Sequence, residues 1–170
     1  MSTPDKAMLL FEKFLEASDE VKISLLLELK GKDGGLPLDR FFGHFLVEES
    51  GGVCKAMVEY LSYVNDRAMV PQITRFISHN QLHERVEGLV IACWQSSLDF
   101  SQHLDVFVDL LIGSDYQLAL ESFSVIENAI HALSPSQREA LIATINSGIG
   151  KADAPKQSLL REMCSMLESF

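Results

Sequence analysis

Two histidines four residues apart, His79 and His83, have a type and spacing that could do chemistry. On a helix such an i, i+4 pair can hold a metal on one face. Here the pair brackets HNQLH, which reads as a surface turn, and no HExxH glutamate lies between them. Cys54, Cys93 and Cys164 are far apart, odd in number and form no CxxC, so neither a disulfide framework nor a thiolate zinc site is expected. Each cysteine stands among apolar residues at helical spacing and reads as a small buried hydrophobe. GGLP and SGIGK contain glycines but do not match the phosphate-cradling GxxxxGK[ST], and no serine sits in a GxSxG elbow. Gly148 and Gly150 read as helix-terminating residues. No metal, no cofactor and no catalytic residue is expected.

The residues that remain are those of a binding surface. Trp94-Gln95 ends the stretch HERVEGLVIACWQSSLDF, which is apolar around much of its circumference. A helix of that kind is packed on both sides. Trp94 therefore reads first as a plug between neighbouring units, with an indole N–H that needs an acceptor such as a carbonyl or Gln95. The other reading is a partly exposed anchor at a rim, where tryptophan is favoured. From Val86 to Gln137 there is no Lys or Arg, while Glu87, Asp99, Asp105, Asp109, Asp115, Glu121 and Glu127 carry −7 of the formal net charge of −10. Asp105 and Asp109 are one helical turn apart, but nothing sets them up as an acid/base pair with unequal pKa values. The stretch is either an ordinary solvated surface or a field that steers a basic partner.

The elements that position these residues are helical. Leu9, Leu10 and Phe14, then Val21, Leu25 and Leu29, recur at three- and four-residue steps. Ser18 is placed to cap the second helix, and Gly31 or Gly34 to end it. LDRFFGHFLVEE buries Phe41, Phe42, Phe45 and Leu46; Gly51-Gly52 breaks it, and VCKAMVEYLSYV follows. Further helices are expected over about 67–78, with Pro71 near the start, and over 82–97. HLDVFVDLLIG and YQLALESFSVIENAIHAL form another pair. Ser134 caps a helix with Pro135 in its first position, and a last helix covers about 154–167. This makes about ten helices in five hairpins, with no sheet.

A shift of 34 residues superposes two of these hairpins. Val70 falls on Leu104, Ile73 on Phe107, Phe76 on Leu110 and Ile77 on Leu111. Val86 falls on Leu120, Leu89 on Phe123 and Ala92 on Ile126. Earlier in the chain the spacing loosens to 31 or 32. Such self-similarity marks a repeat array. VPQITRFISHNQLHERVEGLVIACWQSS and HLDVFVDLLIGSDYQLALESFSVIENA resemble the HEAT-repeat and armadillo-like family. Pro71 in a first helix and Arg85 early in a second follow the family's pattern. The later unit departs from it, with no proline and with Leu or Ala where the arginine would stand. The usual turn aspartate is Asn80 in one unit and Asp115 in the other. The resemblance implies an α-α superhelix of about five stacked hairpins spanning 1–170 as one domain. It implies a concave face lined by second helices, protein binding and no catalytic residues.

A chain of 170 residues that is 47% hydrophobic can bury a core, which excludes general disorder. A net charge of −10 repels phosphate backbones, so nucleic acid is not an expected partner. No apolar run approaches the roughly 20 residues of a membrane span. The N-terminal MSTPDKAMLLFEKFLE, with acids inside its apolar region, makes a poor signal peptide, so a cytoplasmic protein is expected. The expected function is a non-enzymatic protein-interaction module, with Trp94, Gln95, Asp105 and Asp109 as partner-binding residues and a basic protein as the partner that suits them. The alternative is an enzyme or ligand-binding subunit using the groove of the same fold.

Overall fold

A computed structural model describes residues 3–32 and 35–170. Among them there are ten α-helices and no strand: α1 (Thr3–Glu16), α2 (Asp19–Leu29), α3 (Leu38–Val47), α4 (Gly51–Ser62), α5 (Met69–His79), α6 (Val86–Gln95), α7 (Leu104–Gly113), α8 (Tyr116–Ala129), α9 (Pro135–Ile149) and α10 (Ala154–Ser169). The expected all-α class is what forms. The even-numbered helices from α2 to α10 lie against one another in series, and so do α3, α5, α7 and α9. Phe14 of α1 meets Phe41 of α3 at 6.1 Å between ring centres, which sets α1 in the odd row. Phe41 in turn meets Tyr60 of α4 at 5.2 Å and so links the two rows. The buried apolar residues form one connected core from Phe11 to Leu167. No helix among the described residues is long and apolar enough to cross a membrane.

Local chemistry accounts for most boundaries. Ser134 accepts from the Gln137 N–H, the Gln137 side chain reaches back to the Ser134 N–H, and Pro135 stands in the first turn of α9, a reciprocal capping box. Asp115 and Asp153 cap α8 and α10 through their carboxylates. Ser18 stands at the N-cap of α2 without a side-chain bond. Gly31 follows α2 at φ +70°, a conformation that glycine adopts without strain; Gly34 lies outside the described residues. Pro71 falls in the first turn of α5, where its missing N–H leaves no helical bond unmade.

Several expectations are corrected. Gly51 and Gly52 do not break a helix; they open α4, and Ser50 caps it by accepting from the Val53 N–H. Gly148 does not terminate α9. It is buried inside it, where a Cβ would stand 2.6 Å from Ile112 Cγ2, so its missing side chain lets α9 approach α7. The helix expected over 82–97 begins only at Val86, because turns at Asn80–His83 and His83–Val86 use those residues first.

The apolar stripe of α2 is rotated. Val21 is 55% exposed, whereas Lys22 and Leu26 are buried. Lys22 is drawn inward by Glu48, which is only 6% exposed. One Glu48 oxygen accepts from Lys22 Nζ at 2.9 Å and meets His44 Nε2 at 3.0 Å; the other accepts from the Ser50 N–H at 3.0 Å. Burial alone would raise the Glu48 pKa, but bonds from Lys22, the Ser50 amide and His44 together bring it down to about 2.

The 34-residue equivalence holds in the first helices, where Val70, Ile73 and Ile77 are buried like Leu104, Phe107 and Leu111. In the second helices Leu89 and Phe123, and Ala92 and Ile126, are buried alike, but the first pair disagrees. Val86 is fully buried while Leu120 is 37% exposed. A shift one residue shorter pairs Val86, Leu89, Val90 and Cys93 with Ala119, Ser122, Phe123 and Ile126, all of them buried. The connections differ too: residues 80–85 separate α5 from α6, but only Ser114 and Asp115 separate α7 from α8.

Candidate interaction surface on α6 and α8

α6 buries Val86, Leu89, Val90, Ala92 and Cys93, a wide face that spans nearly half of its circumference because the helix lies between α4 and α8. Its outward residues are Glu87, Ile91, Trp94 and Gln95, which recur at three- and four-residue steps. α8 buries Leu118, Ala119, Ser122, Phe123, Val125 and Ile126 and turns Tyr116, Gln117, Leu120 and Glu121 to the same side as that strip.

Trp94 is half-buried and packs against the core with one face. Its Nε1–H donates to Glu121 Oε2 across the helix pair at 2.7 Å, and the other Glu121 oxygen accepts from Gln117 Nε2 at 2.8 Å. The Asn128 amide donates to the Trp94 carbonyl at 2.9 Å. The indole is thus neither a fully sealed plug nor a free rim residue. Its polar edge is pinned to α8, and part of its ring remains open. Beside it lies a cavity of about 240 Å³ walled by Cys93, Leu98, Phe100, Val125 and His131. Gln95, the last residue of α6, is exposed.

The surroundings are acidic. The Glu87 carboxyl is held above its usual range, first by partial burial and then by the charges of Glu121 and Asp115. No Lys or Arg between Val86 and Gln137 offsets them. Lys156 does reach into this part of the fold, but its ammonium is buried and bonded to the Ser114 carbonyl.

Asp105 and Asp109 lie elsewhere. Both are exposed on α7, in the odd row. Asp105 lines a different recess, with Leu104, Leu133, Gln137 and Leu141. Trp94 and Gln95 therefore form one surface, and the two aspartates form another. His79 ends α5 exposed, while His83 lies in the following turn and accepts the Arg85 N–H at 3.2 Å. Among the described residues no three His, Cys, Asp or Glu side chains gather into a metal-holding set. Cys93 and Cys164 are buried free thiols, whereas Cys54 is half-buried.

Glu121 and Gln117 were not singled out in the sequence. The carboxylate that accepts the indole stands 27 residues away, and only the packing of α6 on α8 selects it from the seven acids of the stretch. No protein-family model matches the chain, nor does any curated protein or solved structure.

Proposed function

We propose that this protein is a non-enzymatic interaction module, a HEAT-like stack of hairpins whose even-row face at α6 and α8 receives a basic protein segment. One observation carries the reading: a half-buried Trp94 is pinned to the carboxylate of Glu121, whose charge and that of Asp115 also act on Glu87, in a stretch of sequence with no Lys or Arg. Tryptophan held rigid by its own shell loses little entropy on docking and is over-represented among residues that dominate binding energy. Tyr116 at 46% and Leu120 at 37% exposure add apolar surface earlier on α8. A Lys- or Arg-bearing partner would relieve the repulsion of Glu121 and Asp115 that adds to burial in raising the Glu87 pKa, and would associate faster at low salt. Asp105 and Asp109, on the other row, add to the long-range field rather than to this contact.

The test is photo-crosslinking in the source cells. A photoreactive residue replaces exposed Gln95 in one strain and exposed Arg75 of α5 in another. The expected result is a basic protein captured at position 95 and not at position 75, with the yield falling as salt rises. The same proteins at both positions, or none at position 95, would overturn the reading.

A further inference from the structure

At the opposite end of α6 from Trp94 there is a second recess of about 280 Å³, lined by Phe45, Cys54, Lys55, Val58, Arg85 and Gly88. Its composition is unusual for this molecule. Two cations share a pocket in a chain of net charge −10, and the rest of the wall is mostly apolar.

Arg85 is the residue that needs an explanation. It is half-buried, and its Nη1 donates to the Phe45 carbonyl at 3.4 Å and to Cys54 Sγ at 2.7 Å. Neither acceptor neutralises it. A carbonyl carries no charge. Burial pushes the Cys54 thiol up by more than the Arg85 charge pulls it down, and the Glu48 charge adds to the rise, so it stays protonated near neutral pH. Glu48, the one buried carboxylate among the described residues, is near enough for its backbone carbonyl to accept from Cys54, but its side chain is already committed to Lys22, His44 and the Ser50 amide. Among the described residues the ion pairs are Lys22–Glu48, Lys30–Glu59 and His44–Glu48, and neither Arg85 nor Lys55 takes part in any of them. A guanidinium drawn partly out of water without a counter-charge is destabilising unless an anion joins it.

The wall decides what kind of anion fits. A guanidinium presents a planar fork that matches a carboxylate, and Lys55 adds an exposed ammonium beside it. Phe45 and Val58 offer carbon only. Gly88 brings the α6 backbone so close to them that a Cβ there would stand 2.8 Å from Phe45 Cζ and 3.2 Å from Val58 Cγ2. An inorganic anion would leave these walls wet, and an uncharged apolar molecule would leave Arg85 uncompensated. The volume lies just under the ~300–1,000 Å³ of clefts that hold drug-sized ligands, so the occupant is small. We propose that this recess binds a small organic carboxylate with a short apolar body, its carboxylate on Arg85 and Lys55 and its body against Phe45 and Val58.

Hexanoate is a suitable probe, titrated into the isotope-labelled full chain while the backbone amide signals of residues 51–55 and 85–88 are followed by NMR. Saturable shifts confined to those residues are expected. Arg85→Gln should weaken them about tenfold or more, and Lys55→Gln several-fold, since each removes one charged partner of the carboxylate. 1-Hexanol, which lacks the charge, and inorganic phosphate at matched ionic strength, which lacks the apolar body, should each bind at least about tenfold more weakly. The proposal is overturned if hexanoate gives no saturable shift, if hexanol or phosphate binds as well, or if both variants bind like the parent. Should Arg85→Gln fail to fold by circular dichroism, Lys55→Gln decides alone, because that side chain is exposed and bears on nothing in the core.

Discussion

Two single residues carry the sharpest expectations. Glu48 is a buried carboxylate holding a buried ammonium. Replacing it by Gln leaves Lys22 charged and without its counter-ion, which should cost about 3–5 kcal/mol in urea unfolding. Exchanging both partners for apolar residues, Lys22→Met with Glu48→Leu, should cost much less, because no stranded charge remains. The pH dependence has a definite sign. The folded-state pKa of Glu48 is lowered from 4.5 to about 2, so its contribution is fully present above about pH 4.5 and is lost as the pH falls toward 2. Glu48→Gln should flatten the stability profile across that window, and a profile as steep as the parent's would show that other carboxylates dominate. Trp94 is the second residue. Full burial would make Trp94→Ala cost about 3–5 kcal/mol. A half-buried ring with one hydrogen bond to Glu121 should cost about 2 kcal/mol, while binding of the crosslinked partner falls further than stability does. A loss of stability in the full-burial range with binding unchanged would make the indole a packing residue only.

Among the elements, two helical glycines stand in opposite surroundings: one is a point of contact between helices and the other faces open space. In Gly148→Ala the new methyl must displace Ile112, whose Cγ2 lies 2.6 Å from the ideal Cβ position, so overpacking between α9 and α7 should cost about 1–3 kcal/mol. Ile112→Ala, which removes both γ carbons and the δ carbon that the new methyl meets, should make Gly148→Ala cost less in that background, which a double-mutant cycle would measure as a coupling between the two positions. In contrast, Gly43 lies inside α3 with nothing within 4 Å of its Cβ position. Gly43→Ala should therefore stabilise the protein by about 0.5–1 kcal/mol through helix propensity and a less flexible unfolded chain. Equal effects of the two glycine substitutions in thermal melts would contradict this packing of α9 on α7.

For the whole molecule the governing quantity is the charge field. Asp105 and Asp109 are exposed and one turn apart on α7, a like-charge pair that adds nothing to fold stability. Replacing both with Lys should leave helicity and melting temperature nearly unchanged. It should slow association with a basic partner, and the gap between variant and parent should close as ionic strength rises. An on-rate equal to the parent's across a salt series would reduce the acidic stretch to solvated surface.

The helical class, the cap at Ser134 with Pro135 in the first position, and the burial of Phe41, Phe42 and Phe45 were legible in the sequence. Each depends on neighbours within one or two turns, and helical period and cap chemistry are local properties. The rotation of α2 was not legible. Val21 and Lys22 exchange the places their polarity would give them because Glu48, 26 residues on, makes burial of an ammonium favourable. Nor was the equivalence of α6 with α8 legible to the residue, since a common helical period leaves a one-residue slip invisible until burial is known. Gly148 shows the same divide. A glycine near a helix end reads as a stop, and only the methyls of Ile112 on a helix from another hairpin make it a point of contact. The sequence by itself determined which segments are helices and which of their faces are apolar, because those are settled along the chain. Tertiary structure decided which acid meets Trp94, that half-buried Arg85 faces a carbonyl and a thiol rather than an acid, and which surface each candidate residue shares, because these depend on distances between helices that no local pattern encodes.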